Sequence, residues 1–123
     1  MKAIIGVQSL DGFLREGKDF ARRLDAGAKI QEGDFQLSFS TPAQLVLELS
    51  PKRMQLLQAL KSAGPHSIRA LAKSMGRNYS NVHADVRRLI EHGLIAKDSD
   101  DHVFVPWDDI VVRMDASLMR LAA

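Results

Sequence analysis

The chain of 123 residues has no cysteine, a single tryptophan, a single tyrosine and only four prolines. Without cysteine there is no disulfide framework, no thiolate metal site and no cysteine nucleophile, a composition that suits a reducing, cytoplasmic compartment. No run approaches the roughly 18 consecutive apolar residues of a membrane-spanning helix, so no membrane partner is expected. The first residues, MKAIIGVQSLDG, set one lysine before a very short apolar run and do not read as a secretory signal. Glycine-rich phosphate cradles and the serine elbow of hydrolases are missing. His66, His83, His92 and His102 fall at irregular spacings without a His-x-x-x-His pair, which gives no metal-ligand pattern. Asp98, Asp100, Asp101, Asp108 and Asp109 lack the alternation, central glycine and terminal glutamate of a calcium loop and read as solvated turns. These absences lead to an expectation of no catalytic residue, no metal and no cofactor. Trp107 and Tyr79 are also too few to stack a single-stranded nucleic acid.

What is present is an ordinary globular composition, 46% hydrophobic and 26% charged, at a length that suits one domain with a short appended arm. The net charge of +2 is unevenly distributed. Residues 1–50 sum to −1 and residues 98–123 to −4, whereas residues 51–97 hold nine basic side chains against Asp85 and Glu91, a surplus of +7. A basic block between acidic flanks points to a polyanion, nucleic acid foremost, or to a solubilising surface.

Along the chain, Lys2–Gln8 reads as a strand. Ser9 then caps a helix ending at Gly27, whose residues Leu10, Phe13, Gly17, Phe20 and Leu24 alternate spacings of three and four. That stripe faces either the protein's own core or a second copy. Residues 28–34 read as a loop and Phe35–Phe39 as a half-buried strand. Thr41-Pro42-Ala43-Gln44 and Ser50-Pro51 are successive helix starts with a hydroxyl cap and proline at the first helical position, predicting helices over Pro42–Leu49 and Pro51–Ala63. In the second, Leu56, Leu57, Leu60 and Ala63 form the inward stripe, with Met54 beside it.

Ser67 caps a further helix with Ile68, Leu71, Ala72 and Met75 on one face. Gly76-Arg77-Asn78 makes a turn, and a helix follows from Tyr79 to His92 with Val82, Val86, Leu89 and Ile90 inward. Two short helices about a glycine-containing turn make a helix-turn-helix. On the opposite face lie Ser80, Ala84, Arg87, Arg88 and Glu91, with Asn81 and Arg77 beside them. A helix that enters the major groove needs such a face, small and polar in its first turns. Asn and Arg make bidentate contacts with adenine and guanine, and hydroxyls, arginines and helix-start amides suit phosphates. Tyr79 serves either a phosphate or the core, and His83 a DNA or side-chain contact. Leu94–Lys97 and His102–Val105 then read as a hairpin directly behind the recognition helix, the place of a wing. Its tip, Asp98–Asp101, repels phosphates, which leaves Lys97 and His102 at the base to approach them. The tail, Asp109–Ala123, holds a last strand expected over Ile110–Met114 and then an apolar Ser117–Leu121, and it docks on the chain's own first strand or on another protein.

The stretch Ser50–Val112 resembles the MarR-like DNA-binding transcriptional regulators of prokaryotes, some of which are antitoxins of toxin–antitoxin modules. The resemblance rests on Pro51-Lys52-Arg53, Ser67-Ile68-Arg69, Leu71-Ala72, Gly76-Arg77, Tyr79, Asn81-Val82-His83, Asp85-Val86, Gly93-Leu94-Ile95 and Val105-Pro106. It departs at the wing tip, where a glycine is common in the family and Asp100-Asp101 stands here. The fold expected is mainly α with small β (α+β), a winged helix-turn-helix over 41–114 with an N-terminal strand–helix–strand arm (1–40) that dimerises it and a tail (115–123). The function implied is non-enzymatic: a sequence-specific double-stranded DNA-binding repressor, autoregulating its own operon as a homodimer. The alternative is an antitoxin that neutralises a cognate toxin by protein contact. The DNA-facing residues would be Arg77, Asn78, Tyr79, Ser80, Asn81, His83, Ala84, Arg87 and Arg88, with Lys52, Arg53, Arg69, Lys73 and Lys97 holding phosphates. About five neutralised phosphates would give a log–log salt slope near ~−4 to −5.

Overall fold

The computed structural model describes residues 1–8, 18 and 33–119. It is an α+β chain that divides into two compact units, one of residues 1–48 with 108–123 and the other of residues 49–107. The boundaries at 48/49 and 107/108 differ from the 40/41 and 114/115 of the sequence reading. The difference arises because the helix at Pro42 packs on the first sheet and the strand at Asp109 pairs within that sheet.

The first unit is built on β1 (Lys2–Val7), with β2 (Phe35–Phe39) and β5 (Asp109–Val112) on either side and both parallel to it. Parallel neighbours need a long crossover, and the more than two dozen residues between β1 and β2 supply one. The helix expected from Ser9 to Gly27 lies in that crossover, outside the described residues apart from Lys18, which is helical and exposed. Side chains alternate across the sheet, so Ala3 and Ile5 are fully buried while Lys2, Gln36 and Ser38 stay in solvent. Helix α1 (Pro42–Glu48) lies against β1 and β2 and buries Leu45. Its start is capped by the Thr41 hydroxyl, which accepts from Gln44 N at 3.1 Å. The Gln44 side chain accepts from the Ser40 hydroxyl at 2.8 Å, so the glutamine anticipated for a capping box with Thr41 turns to Ser40 instead. Strand β5 is the docking on the first strand anticipated for the tail, closing two residues earlier than Met114. Of Ser117–Leu121, the described part is irregular, with Leu118 and Met119 73% and 93% exposed.

The second unit contains α2 (Pro51–Ala63), α3 (Ile68–Met75), α4 (Tyr79–Glu91) and a two-stranded antiparallel ribbon, β3 (Ala96–Lys97) and β4 (Val103–Phe104). Each helix starts where a short polar side chain can take an orphan amide. Ser50 accepts from Arg53 N at 3.3 Å, Ser67 from Ala70 N at 3.1 Å, and Asn78 from Ser80 N at 2.8 Å. Leu56, Leu60, Leu71, Val82, Val86, Leu89, Leu94 and Val103 are fully buried and form the core of this unit. Two inward assignments are corrected. Ile90 is 37% exposed and Ala63 is exposed, because the apolar centre of α4 is rotated toward Leu89 and Ala63 ends its helix beyond the core. The ribbon is shorter than the hairpin strands expected, yet His66 pairs with Val103 through both backbone bonds, 3.1 and 2.8 Å, and adds the α2–α3 connection to its edge. Trp107 donates its indole N–H to the Gly93 carbonyl at 2.9 Å, tying the chain after β4 to the end of α4. No described helix is long and apolar enough to cross a membrane.

Candidate nucleic-acid interface

The helix pair α3–α4 is set by the three-residue turn Gly76–Asn78. Gly76 adopts φ +63°, the left-handed conformation that glycine takes most readily, and its amide closes α3 onto Ala72 and Lys73. Asn78, extended, then starts α4 by offering its side-chain oxygen to Ser80 N and, at 3.4 Å, to Asn81 N. Two of the helix-start amides anticipated for phosphates are thus held by Asn78, which acts here as a cap.

The outer face of α4 is open. Ser80, Asn81, Ala84, Arg87 and Arg88 are all exposed, and Val82, Val86 and Leu89 on the opposite face are buried. Arg88 donates to Glu91 at 2.8 Å along the same helix, an exposed pair of the kind worth about 0–1 kcal/mol. Arg87 carries no such bond to a carboxylate among the described residues and is the exposed cation nearest the middle of the face.

One flank of α4 carries an aromatic–cation group. The Arg69 guanidinium of α3 lies 4.7 Å from the Tyr79 ring centroid, and the His83 ring sits 5.8 Å from that of Tyr79. Tyr79 keeps 41% of its surface in solvent, so it braces Arg69 at the surface without being buried. Lys73, one turn further along α3, and Lys52, in the first turn of α2, are exposed.

The other flank holds a different arrangement. Asp85 projects from α4 between two arginines. Its Oδ1 accepts from Arg53 Nε of α2 at 3.0 Å and its Oδ2 from Arg77 Nη2 of the turn at 2.8 Å. These three side chains are 16%, 21% and 19% exposed, for Asp85, Arg53 and Arg77 in that order. Arg77 Nη1 is buried without a hydrogen-bond partner among the described residues. The sequence reading placed Arg77 toward a groove and Arg53 on a phosphate. The structure folds both guanidiniums inward onto one carboxylate. Asp85 escaped notice because a wheel shows faces but not contacts with distant residues. The available signal was its isolation, one of only two carboxylates in the basic block.

At the ribbon, Lys97 Nζ lies 3.3 Å from Asp101. Asp98 accepts from Asp100 N at 2.9 Å and His102 N at 3.0 Å, and Asp101 takes φ +62°. The position where the resembled family favours glycine therefore has the backbone conformation glycine suits, adopted here by an aspartate, one of the residue types that tolerate it. In the first unit, an open hollow of about 210 Å³ on the sheet's exposed face is lined by Ile4, Gly6, Gln36, Ser38, Arg113 and Asp115.

A family model, HVO_A0114, matches residues 48–112, just over half of the chain and all of the second unit together with β5. The chain belongs to the HVO_A0114 family. No curated protein and no solved structure matches it.

Proposed function

We propose that this member of the HVO_A0114 family is a winged helix-turn-helix protein that binds double-stranded DNA in a sequence-specific way and represses transcription, including that of its own operon. Helix α4 is the recognition helix and the β3–β4 ribbon the wing. The observation that carries this reading is the exposed outer face of α4, small and polar at Ser80, Asn81 and Ala84 and cationic at Arg87, flanked by exposed Arg69 and Lys73. Such a face enters a major groove without steric cost in its first turns. Asn81 and Arg87 are the base-reading residues, and Lys52, Arg69 and Lys73 take phosphates. The protein acts as a homodimer on an inverted repeat, whose half-site spacing follows from the two-fold.

Selection of binding sequences from a randomised duplex pool tests the reading. An enriched, inverted-repeat motif is the expected result; recovery of the input distribution would overturn it.

The segment after β5 favours a second reading. Met114, Leu118 and Met119 stand exposed there, which suits contact with another protein such as a cognate toxin. Co-purification of a toxin-like neighbour gene's product with the full chain, lost when Leu118 and Met119 are replaced by Ser, would establish that role. No association with that product would dismiss it.

A further inference from the structure

Three charged side chains from three separate parts of the second unit meet on the flank of α4. Arg53 comes from α2, Arg77 from the inter-helix turn and Asp85 from α4 itself, with bonds of 3.0 and 2.8 Å to the two oxygens of one carboxylate. Both arginines lie beside the face assigned to DNA, and each has a stem long enough to reach solvent. The shared carboxylate holds Arg77 through Nη2 and is one of the contacts that hold Arg53. Among the described residues, Arg77 Nη1 is buried with no acceptor of its own.

We infer that Asp85 is a specificity-determining residue of the interface, one that withdraws Arg53 and Arg77 from the DNA backbone and leaves recognition to Asn81 and Arg87. The inference rests on the DNA-binding reading above and deepens it. Phosphate contacts add affinity for every sequence alike, whereas base contacts distinguish sequences. A protein with two more arginines free beside α4 would bind all duplexes more tightly and discriminate less between them. Holding them on one carboxylate has a further consequence. The three groups together carry a single positive charge, and a fixed one, between α2, the turn and α4. The middle of α4 is thereby tied by charge to α2 and to the inter-helix turn. With the carboxylate charge gone, two guanidiniums face each other in a half-buried space, and mutual repulsion drives at least one outward.

Asp85→Asn keeps the shape of the side chain and removes its charge. In the full-length protein it is expected to steepen the log–log salt slope for a random duplex by about 1–2, since each released cation that finds a phosphate adds about 0.9. The ratio of selected-site to random-site affinity is expected to fall at least several-fold. Adding Arg77→Met to Asp85→Asn is expected to restore part of both effects. An unchanged slope and an unchanged ratio in folded Asp85→Asn would overturn the inference while leaving DNA binding itself intact. Failure of the wild type to bind any duplex would overturn the reading beneath it. Should Asp85→Asn not fold, the wild type supplies the test through its arginine side-chain Nε–H resonances. On titration with the selected duplex, those of Arg53 and Arg77 are expected to stay in place while that of Arg87 moves. Shifts at Arg77 as large as those at Arg87 would show that Asp85 releases it, against the inference.

Discussion

At the residue scale, recognition depends on which polar side chains of α4 face solvent and which are engaged elsewhere. Asn81 and Arg87 are exposed and sit on the face opposite Val82, Val86 and Leu89. Replacing either by alanine is expected to cost roughly 1–3 kcal/mol at the selected site and to relax preference at one base pair, because a lost bidentate contact is lost only at its own base. Competition binding against single-base variants of the site measures this. An equal loss on cognate and random duplex would instead assign the residue to the backbone. Spacing in the sequence identifies that outer face, since Ser80, Ala84, Arg87 and Arg88 fall together once the buried stripe is known. Long-range partners are another matter. Arg53 and Asp85 are 32 positions apart, and nothing in local periodicity announces that they meet. The bond of Arg53 is unforeseen for that reason, and that of Arg77, eight residues before Asp85, because a turn side chain has no place on a helical wheel.

At the scale of elements, the helix starts are legible because each is written in local chemistry: Ser50 before Pro51, Ser67 before Ile68, and a hydroxyl before Pro42. Asn78 belongs to the same class, although the sequence reading assigned it to the turn and the interface. The turn itself imposes a conformational demand at Gly76, where φ is +63° and no atom would obstruct an added Cβ. Gly76→Ala is therefore expected to destabilise the protein through backbone strain alone, by about 1–2 kcal/mol, as read from urea unfolding. No loss of stability would mean that the turn relaxes and that the α3–α4 geometry is not fixed at this point. The ribbon was harder to bound. Strand propensity in Leu94–Ile95 reflects burial, and both side chains enter the core before the ladder begins at Ala96. The acidic tip, which departs from the resembled family, is held by Asp98 and accommodates Asp101 in a left-handed conformation.

For the whole molecule, the division into units follows from a pairing that no local signal contains. Strand β5 lies more than a hundred residues from β1 and runs parallel to it, so the first sheet is completed only after the second unit has been made. The second unit closes its own core with Leu56, Leu71, Val86, Leu94 and Val103. Residues 49–107 alone are expected to fold and melt cooperatively, at a lower temperature than the full chain, since a domain of about 60 residues buries only about 60% of its unfolded surface. A gradual, non-cooperative loss of helical circular dichroism would contradict this. The charge distribution makes sense at this scale too. The surplus of residues 51–97 falls on the second unit, but part of it is neutralised in place. Arg53 and Arg77 share Asp85, Arg88 holds Glu91, and Lys97 lies by Asp101. Lys52, Arg69, Lys73 and Arg87 remain as the exposed cations assigned to the interface. The salt titration of binding to the selected duplex tests this most directly. The three phosphates held by Lys52, Arg69 and Lys73 in each protomer predict a log–log slope near ~−2.7 for each half-site, shallower than the cation count of the sequence suggests. A flat response would contradict the assignment of this surface to DNA.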